Sequence, residues 1–457
     1  MGSKAFTLDN DVLAAIREEE LLEFHEKIPT SRALYEQSRQ VLTRGVPSSW
    51  MASFYPGTDI FAARGESCFI EDVDGNRYLD MTQCDLSMVC GYGPEPVAKA
   101  VAERFTTGSH FLLPTEDAIA VGRDLAKRFG MPFWQFTLSA SAANTEAIRI
   151  ARFATGRDKV LIFAGKYHGH FDESLVKSTT DGMAPEHLGL PKDAAQRTVV
   201  VPFNDLEAVE TALGGGEIAC VLTEPVMTNF GVILPDEGFH EGLRALTKET
   251  GTILIVDETH TQAAAYGGFT RAWGLEPDVL TSGKCLGGGV PIGGYGLSSE
   301  LNAMVERNLR AEDAGGVTLA LGGTTYGNAL NMAAARAALE HILTEAAYER
   351  VRSLGSRLAD GIDAIVTGHG LPWRAYRLGN RSGICLSTSL PRNAAEASSC
   401  ISEPLNLATR AFMANRGIWE PIYIHGPSIS FAHTEPDVGT YLSALETFVG
   451  KVVAAHA

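Results

Sequence analysis

Between residues 115 and 344 the chain switches repeatedly between two hydrophobic periods. Lys159–Phe163, Thr198–Val201, Ile218–Leu222, Thr252–Val256 and Val279–Leu280 are short, largely continuous apolar runs rich in β-branched residues. Runs of this kind predict strands covered on both faces, as in a parallel sheet. The stretches 117–129, 143–154, 206–213 and 238–250 between them place apolar residues at helical spacing. In 143–154 the stripe is Ala143, Ala147, Ile150, Ala151 and Ala154. Strands alternating with helices predict an α/β layer structure.

The flanks have another pattern. Residues 9–45 are charged and helical in spacing, with Leu13, Ile16, Leu21 and Phe24 near one face and Pro29 breaking the run. The alternation over 57–80, centred on the turn signal Asp74-Gly75, predicts a small antiparallel unit presenting Phe69, Ile70, Tyr78 and Leu79. Pro94 to Val97 opens a further helix, with prolines acceptable in its first turn. After a helix at 328–344 come a helical stretch at 345–367, strand-like runs at 382–387, 418–423 and 428–433, and a last helix at 436–455. The expected division is an N-terminal arm with the antiparallel unit (1–75), a large α/β domain (76–344) and a C-terminal α+β domain (345–457).

Composition narrows the class of partner. The 457 residues carry 38 Lys+Arg against 55 Asp+Glu, a net charge of −17. That balance argues against nucleic acid or an anionic membrane surface. No run of 18 apolar residues suggests a membrane span, and the first twenty residues lack a signal-peptide core. Met1-Gly2 resembles a myristoylation start, but Phe6 stands where that motif needs Ser or Thr. Seven widely spread cysteines form neither a disulfide framework nor a zinc spacing, so a cytoplasmic, reducing setting is expected.

Four segments carry candidate chemistry. In VLTSGKCLGGGVPIGGYG, Lys284 follows a buried strand and precedes Gly287–Gly289. A lysine so placed can form a Schiff base with a carbonyl; taken alone it is equally a surface lysine in a glycine turn. Asp257 ends the Thr252–Val256 run, at the sheet edge where ligands of open α/β sheets bind. Lys284 lies 284 − 257 = 27 residues further on, one strand–helix–strand unit away. Ser139, Ala140 and Ser141 open a helix whose free N–H groups suit a phosphate, although plain capping by Ser141 explains them too. Tyr167-His168-Gly169-His170 offers an aromatic for stacking on a planar ring; as a metal half-site it lacks a third ligand. No GxGxxG sits between a first strand and a helix, and there is no GxSxG elbow.

Taken in order, DVDGNRYLD (72–80), SASAAN (139–144), YHGH (167–170), EP (224–225), DE (257–258), GK (283–284), GTTYGN (323–328) and AHTEPD (432–437) resemble the class III aminotransferases of the fold-type-I pyridoxal-phosphate enzymes. The similarity runs from about residue 55 to 450 and leans to the branch containing glutamate-1-semialdehyde aminomutase. It implies a large domain with a mainly parallel seven-stranded sheet between helices, and a smaller α+β domain from the two chain ends. It implies pyridoxal 5'-phosphate as cofactor. Lys284 would form the Schiff base and move the proton, and Asp257 would pair with the ring nitrogen. Tyr167 and Thr259 would cover the ring faces, and Ser139, Ala140 and Ser141 would hold the phosphate. Glu224 and His260 join the cofactor-contacting set. Thr324 would reach the phosphate of a neighbouring subunit, which implies a homodimer with shared sites. No metal is implied. Ala140 and Ala142 replace the family's usual glycine and glutamate, and Thr259-His260 replaces its usual Val-Gln or Val-Met.

The resemblance supports two activities. The first is a ping-pong transaminase that moves an amino group from an amine or amino acid to a keto acid such as pyruvate. The alternative is an aminomutase acting within one substrate. A third reading, from another class, is a non-catalytic or nucleotide-binding α/β protein, which a colourless preparation indifferent to added pyridoxal phosphate would favour. Trp50, Phe54 and Tyr55 are candidates for the substrate side or for plain core packing. Arg271 or Arg416 would serve a substrate carboxylate or a surface ion pair.

Overall fold

The computed structural model describes residues 6–54, 56–57, 59–310, 317–420 and 426–456. Two compact units emerge: Glu95–Tyr348 with Pro391–Ala397, and Met1–Pro94 with Glu349–Leu390 and Ser398–Ala457. Residues 76–94 thus group with the N-terminal segment.

The first unit is built on a seven-stranded sheet. Its strands are β1 (Phe133–Thr137), β2 (Lys159–Phe163), β3 (Thr198–Val201), β4 (Ile218–Thr223), β5 (Ile253–Asp257), β6 (Val279–Ser282) and β7 (Gly293–Leu297). Their order is β1-β7-β6-β5-β4-β2-β3. β7 runs antiparallel to both neighbours, and the pairings from β6 to β3 are parallel. Alternate residues of one strand enter different cores. Val160, Ile162, Cys220, Leu222 and Ile255 pack with Ala143, Ala147, Ile150 and Ala151 of the Ala140–Thr155 helix. Leu161, Phe163, Val221, Leu254 and Val256 pack with Phe203, Phe239 and Leu243 on the other side. Two dry faces are the physical reason these strands read as unbroken apolar runs.

β1 and β7 escaped the sequence pattern. Phe-Trp-Gln-Phe-Thr is mostly exposed or half-buried, and Gly-Gly-Tyr-Gly-Leu reads as a loop. Glycine is required at 293 by close approach: a Cβ there would stand 2.2 Å from the Ser139 carbonyl oxygen. A hairpin of Val176–Thr179 and Gly182–Pro185 was also unanticipated.

In the second unit, Ala62–Glu66, Phe69–Asp72 and Arg77–Asp80 form the expected antiparallel meander, extended by Ile418–Trp419. Pro29 does not simply end the N-terminal helix Asn10–Lys27; it starts a second one, Pro29–Ser38. The inward stripe of the first helix is Leu13, Ile16, Glu20 and Phe24, so an acid takes the place expected for Leu21. Glu20 is neutralised by Arg416 at 3.1 Å and Lys451 at 3.0 Å. The 428–433 run is no strand: Ser428 makes a single bridge to Arg381. Residues 421–423 of the 418–423 run lie outside the described residues.

Candidate functional site

The parallel strands deliver their C-terminal ends to one edge. Thr223 leads into Glu224, β5 ends on Asp257, Ser282 is followed by Gly283 and Lys284, and the segment after Phe163 carries Tyr167 and His168. Register ties them together: Val256 pairs with Thr223 and Asp257 with Thr281.

Asp257 is the best-anchored group at this edge. Its Oδ2 accepts from His168 Nδ1 at 2.9 Å and from Asn144 Nδ2 at 2.9 Å, and its Oδ1 accepts from the Thr259 backbone N–H at 3.0 Å. Asn144 is itself held, since its Oδ1 accepts from Thr281 Oγ1 at 2.6 Å and its Nδ2 also donates to the His168 carbonyl. Burial alone would raise the Asp257 pKa. The His168 hydrogen bond and charge interaction, with Thr259 and Asn144, outweigh it and lower the pKa below the usual carboxylate value. The next residue behaves oppositely. Glu258 is fully buried and its pKa is raised by burial, against hydrogen bonds from Thr261 and Thr270. Two adjacent acids are thus shifted in opposite directions, and the one whose ionised form is favoured stands at the sheet edge.

Lys284 begins a short 3-10 turn, Lys284–Gly287, and is half-buried rather than enclosed. Its φ of +43° is left-handed, which disfavours an L-residue by about 1 kcal/mol. Strain of this kind persists where the surroundings impose it, commonly at functional sites. The surroundings here are Gln262, whose Nε2 donates to the Gly283 carbonyl at 2.6 Å, and Gly283 itself, where a Cβ would stand 3.0 Å from that of Ala140. Lys284 Nζ meets His260 Nε2 directly. His260 Nδ1 meets Thr228 Oγ1 at 2.6 Å, and that hydroxyl also contacts Glu224 Oε2.

The Ser139–Ser141 segment opens the sixteen-residue helix Ala140–Thr155. The cap is Ser139, not Ser141: its Oγ accepts from the Ala142 N–H at 3.2 Å. Ala140 is helical and is absent from the positive-φ residues, so replacing a glycine there carries no backbone strain. Ser141 Oγ accepts from the His170 N–H at 3.1 Å, which ties the YHGH turn to the helix start. Tyr167 is half-buried beside His168, and Thr324 is exposed in the turn before Asn328.

The remaining candidates have other partners or surroundings. Arg416 pairs with Glu20 and stacks on Phe412, its guanidinium 3.2 Å from the ring centroid. Arg271 is exposed and donates to the Lys127 carbonyl. Trp50 is exposed, and Tyr55 and the Phe54 side chain lie outside the described residues. His168, Asn144, Thr281 and Thr228 were missed as site residues. The first three stand inside segments already singled out, YHGH, SASAAN and VLTSGK, whereas nothing in the sequence around Thr228 marks it.

Residues 51–381 match the family model described as Aminotransferase class-III. The chain belongs to the class-III aminotransferase family. A glutamate-1-semialdehyde 2,1-aminomutase from Anaeromyxobacter dehalogenans (strain 2CP-C) is 34% identical over 429 residues, covering 92% of this chain and 97% of its own length. A glutamate-1-semialdehyde 2,1-aminomutase 2 from Lysinibacillus sphaericus (strain C3-41) is 35% identical over 426 residues, covering 91% and 96%. The crystal structure of a glutamate-1-semialdehyde-aminomutase from Pseudomonas aeruginosa PAO1 superposes with a TM-score of 0.93 at 36% identity, covering 98% of this chain and 100% of that one. A variant of that protein was crystallised in complex with PMP.

The fold is therefore fold type I, and this class-III enzyme uses pyridoxal 5'-phosphate. Its residues fit that group. An ionised buried acid suits a protonated ring nitrogen, an amine stands at the same sheet edge, and helix first-turn N–H groups suit a phosphate. Among the described residues Thr259 Oγ1 and Ser282 Oγ are buried with no hydrogen-bond partner, which leaves them able to bond a polar group of the cofactor. The expectation of a ping-pong transaminase consuming a keto acid is overturned: these relatives, matching over nearly the whole chain, are named aminomutases. Among the described residues no helix is long and apolar enough to cross a membrane.

Proposed function

We propose that this enzyme is an aminomutase of the glutamate-1-semialdehyde type, exchanging an amino group and a carbonyl oxygen between neighbouring carbons of one small substrate. The observation that carries the reading is near full-length similarity to proteins of that name, joined to an edge at which the amine of Lys284 accompanies the ionised Asp257. Pyridoxal phosphate, when bound, carries the amino group and accepts the electron pair left when a carbon loses its proton.

The chain's own residues supply the rest. Lys284 would hold the cofactor through its amine, and that amine would be the base that takes up and returns the substrate's proton. Asp257 keeps the ring nitrogen protonated, and His168 and Asn144 keep Asp257 ionised. Tyr167 and Thr259 cover the ring, and the Ser139–Ser141 helix start holds the phosphate, where the absence of a side chain at Gly283 leaves room for Ala140. A homodimer in which Thr324 reaches the second copy's phosphate fits the exposure of that residue. The cysteine usage suits a cytoplasmic setting.

Supplied with pyridoxal phosphate and glutamate 1-semialdehyde, and with no keto acid, the purified protein is expected to form the isomeric amino ketone. Product that appears only after a keto acid is added would contradict the reading.

A further inference from the structure

The contact between Lys284 and His260 continues into a buried chain of hydrogen bonds. Lys284 Nζ meets His260 Nε2, His260 Nδ1 meets Thr228 Oγ1, and Thr228 Oγ1 meets Glu224 Oε2. The other carboxylate oxygen of Glu224 accepts from Asn229 Nδ2 at 3.0 Å. Glu224, Thr228, Asn229 and His260 are all buried.

Such a chain can run in one of two directions. With Glu224 ionised, Thr228 donates its hydroxyl to the carboxylate, and the Thr228 oxygen is left to accept from His260 Nδ1–H. Nε2 then carries a lone pair and accepts an N–H of Lys284. With Glu224 protonated every donor reverses, and His260 presents Nε2–H to Lys284. The two cases differ at the reacting nitrogen. An accepting Nε2 leaves the lysine lone pair open and stabilises the ammonium that forms when it takes a proton. A donating Nε2–H occupies that lone pair. Asn229 adds a second donor to the Glu224 carboxylate, and two donors favour its ionised form.

We propose that Glu224 and Thr228 lock His260 in its Nδ1–H tautomer, so that His260 accepts from Lys284 and keeps the lysine lone pair free for proton abstraction. His260 touches the reacting nitrogen; Thr228 and Glu224 are positioning residues that act through it. No proton passes along the chain and no group is transferred. The role parallels the buried acid of a hydrolase triad, which fixes the tautomer of its histidine. The inference rests on Lys284 being the proton-moving base of the proposed reaction.

The test uses the full-length protein loaded with pyridoxamine 5'-phosphate, which leaves Lys284 uncombined, with nitrogen-15 in its histidines. The His260 resonances are those lost in His260→Gln. The expected result at neutral pH is an unprotonated Nε2 and a protonated Nδ1. Thr228→Val should populate the opposite tautomer and lower kcat about 10-fold or more with little change in KM. Thr228→Ser, which keeps the hydroxyl, should restore both. A protonated Nε2 in the parent protein overturns the proposal, as does a Thr228→Val protein with the parent's tautomer and kcat. If Thr228→Val does not fold, the parent spectrum decides alone. Failure of the aminomutase reading would appear separately, as absent isomerisation with the ring-nitrogen resonances unchanged.

Discussion

His168 Nδ1 stands 2.9 Å from Asp257 Oδ2 although 89 residues separate the two along the chain. An ionised carboxylate only accepts, so Nδ1 is the donor and the imidazole is committed to that acid. The pair explains why Asp257 holds its charge in a site that would otherwise neutralise it.

Removing the donor should therefore expose the burial effect. In His168→Phe the Asp257 pKa is expected to rise, and the acid limb of the kcat profile to move to higher pH. At neutral pH kcat should fall roughly 10-fold. A pH–rate profile superposable on that of the parent would show that Asp257 does not depend on His168.

Gly169 separates the two histidines of that turn at φ +114°, and a Cβ there would stand 2.2 Å from Ser141 Oγ and 2.7 Å from Ser141 Cα. Gly169→Ala combines backbone strain with a push on the helix start, at a cost of about 1–3 kcal/mol. Cofactor affinity should drop along with thermal stability, read from pyridoxal phosphate titration and from Tm. A variant that is less stable but retains full affinity would separate the turn from the phosphate.

Far from these residues in sequence, burial pushes the Glu420 carboxyl up to about 7, against hydrogen bonding by Tyr441 and the attraction of Arg410. A folded value above the unfolded one means that the folded protein binds more protons between about pH 4.5 and 7. Stability from this group is present in full below that window and is lost as pH rises through it. Glu420→Gln removes the dependence. The variant should match the parent near pH 5 and gain on it by about 1–3 kcal/mol at pH 8. Urea unfolding at the two pH values measures the difference, and a gap that does not grow with pH refutes the assignment.

The parallel core was legible because its strands are dry on both faces, and Lys159–Phe163 and Thr198–Val201 read from the sequence as the structure has them. Lys284 and Asp257 were legible because polar residues ending such strands are conspicuous. What stayed hidden depends on long-range partners. β7 looks like a loop because its glycines answer to the Ser139 carbonyl, more than 150 residues away. Leu21 lost its expected inward place to Glu20, whose partners Arg416 and Lys451 come from the other end of the chain. Thr228 carries no local signal, since its significance lies in touching His260 and Glu224 at once.

The most direct measurement is a carbon-13 NMR mass balance on labelled glutamate 1-semialdehyde, with pyridoxal phosphate and without a keto acid, for the parent and Lys284→Ala. The account predicts that the parent passes the label into the isomeric amino ketone with no other carbon product. It predicts that Lys284→Ala falls short by roughly 100-fold or more. Equal turnover by Lys284→Ala, or a parent that makes product only in step with an added keto acid, would contradict it.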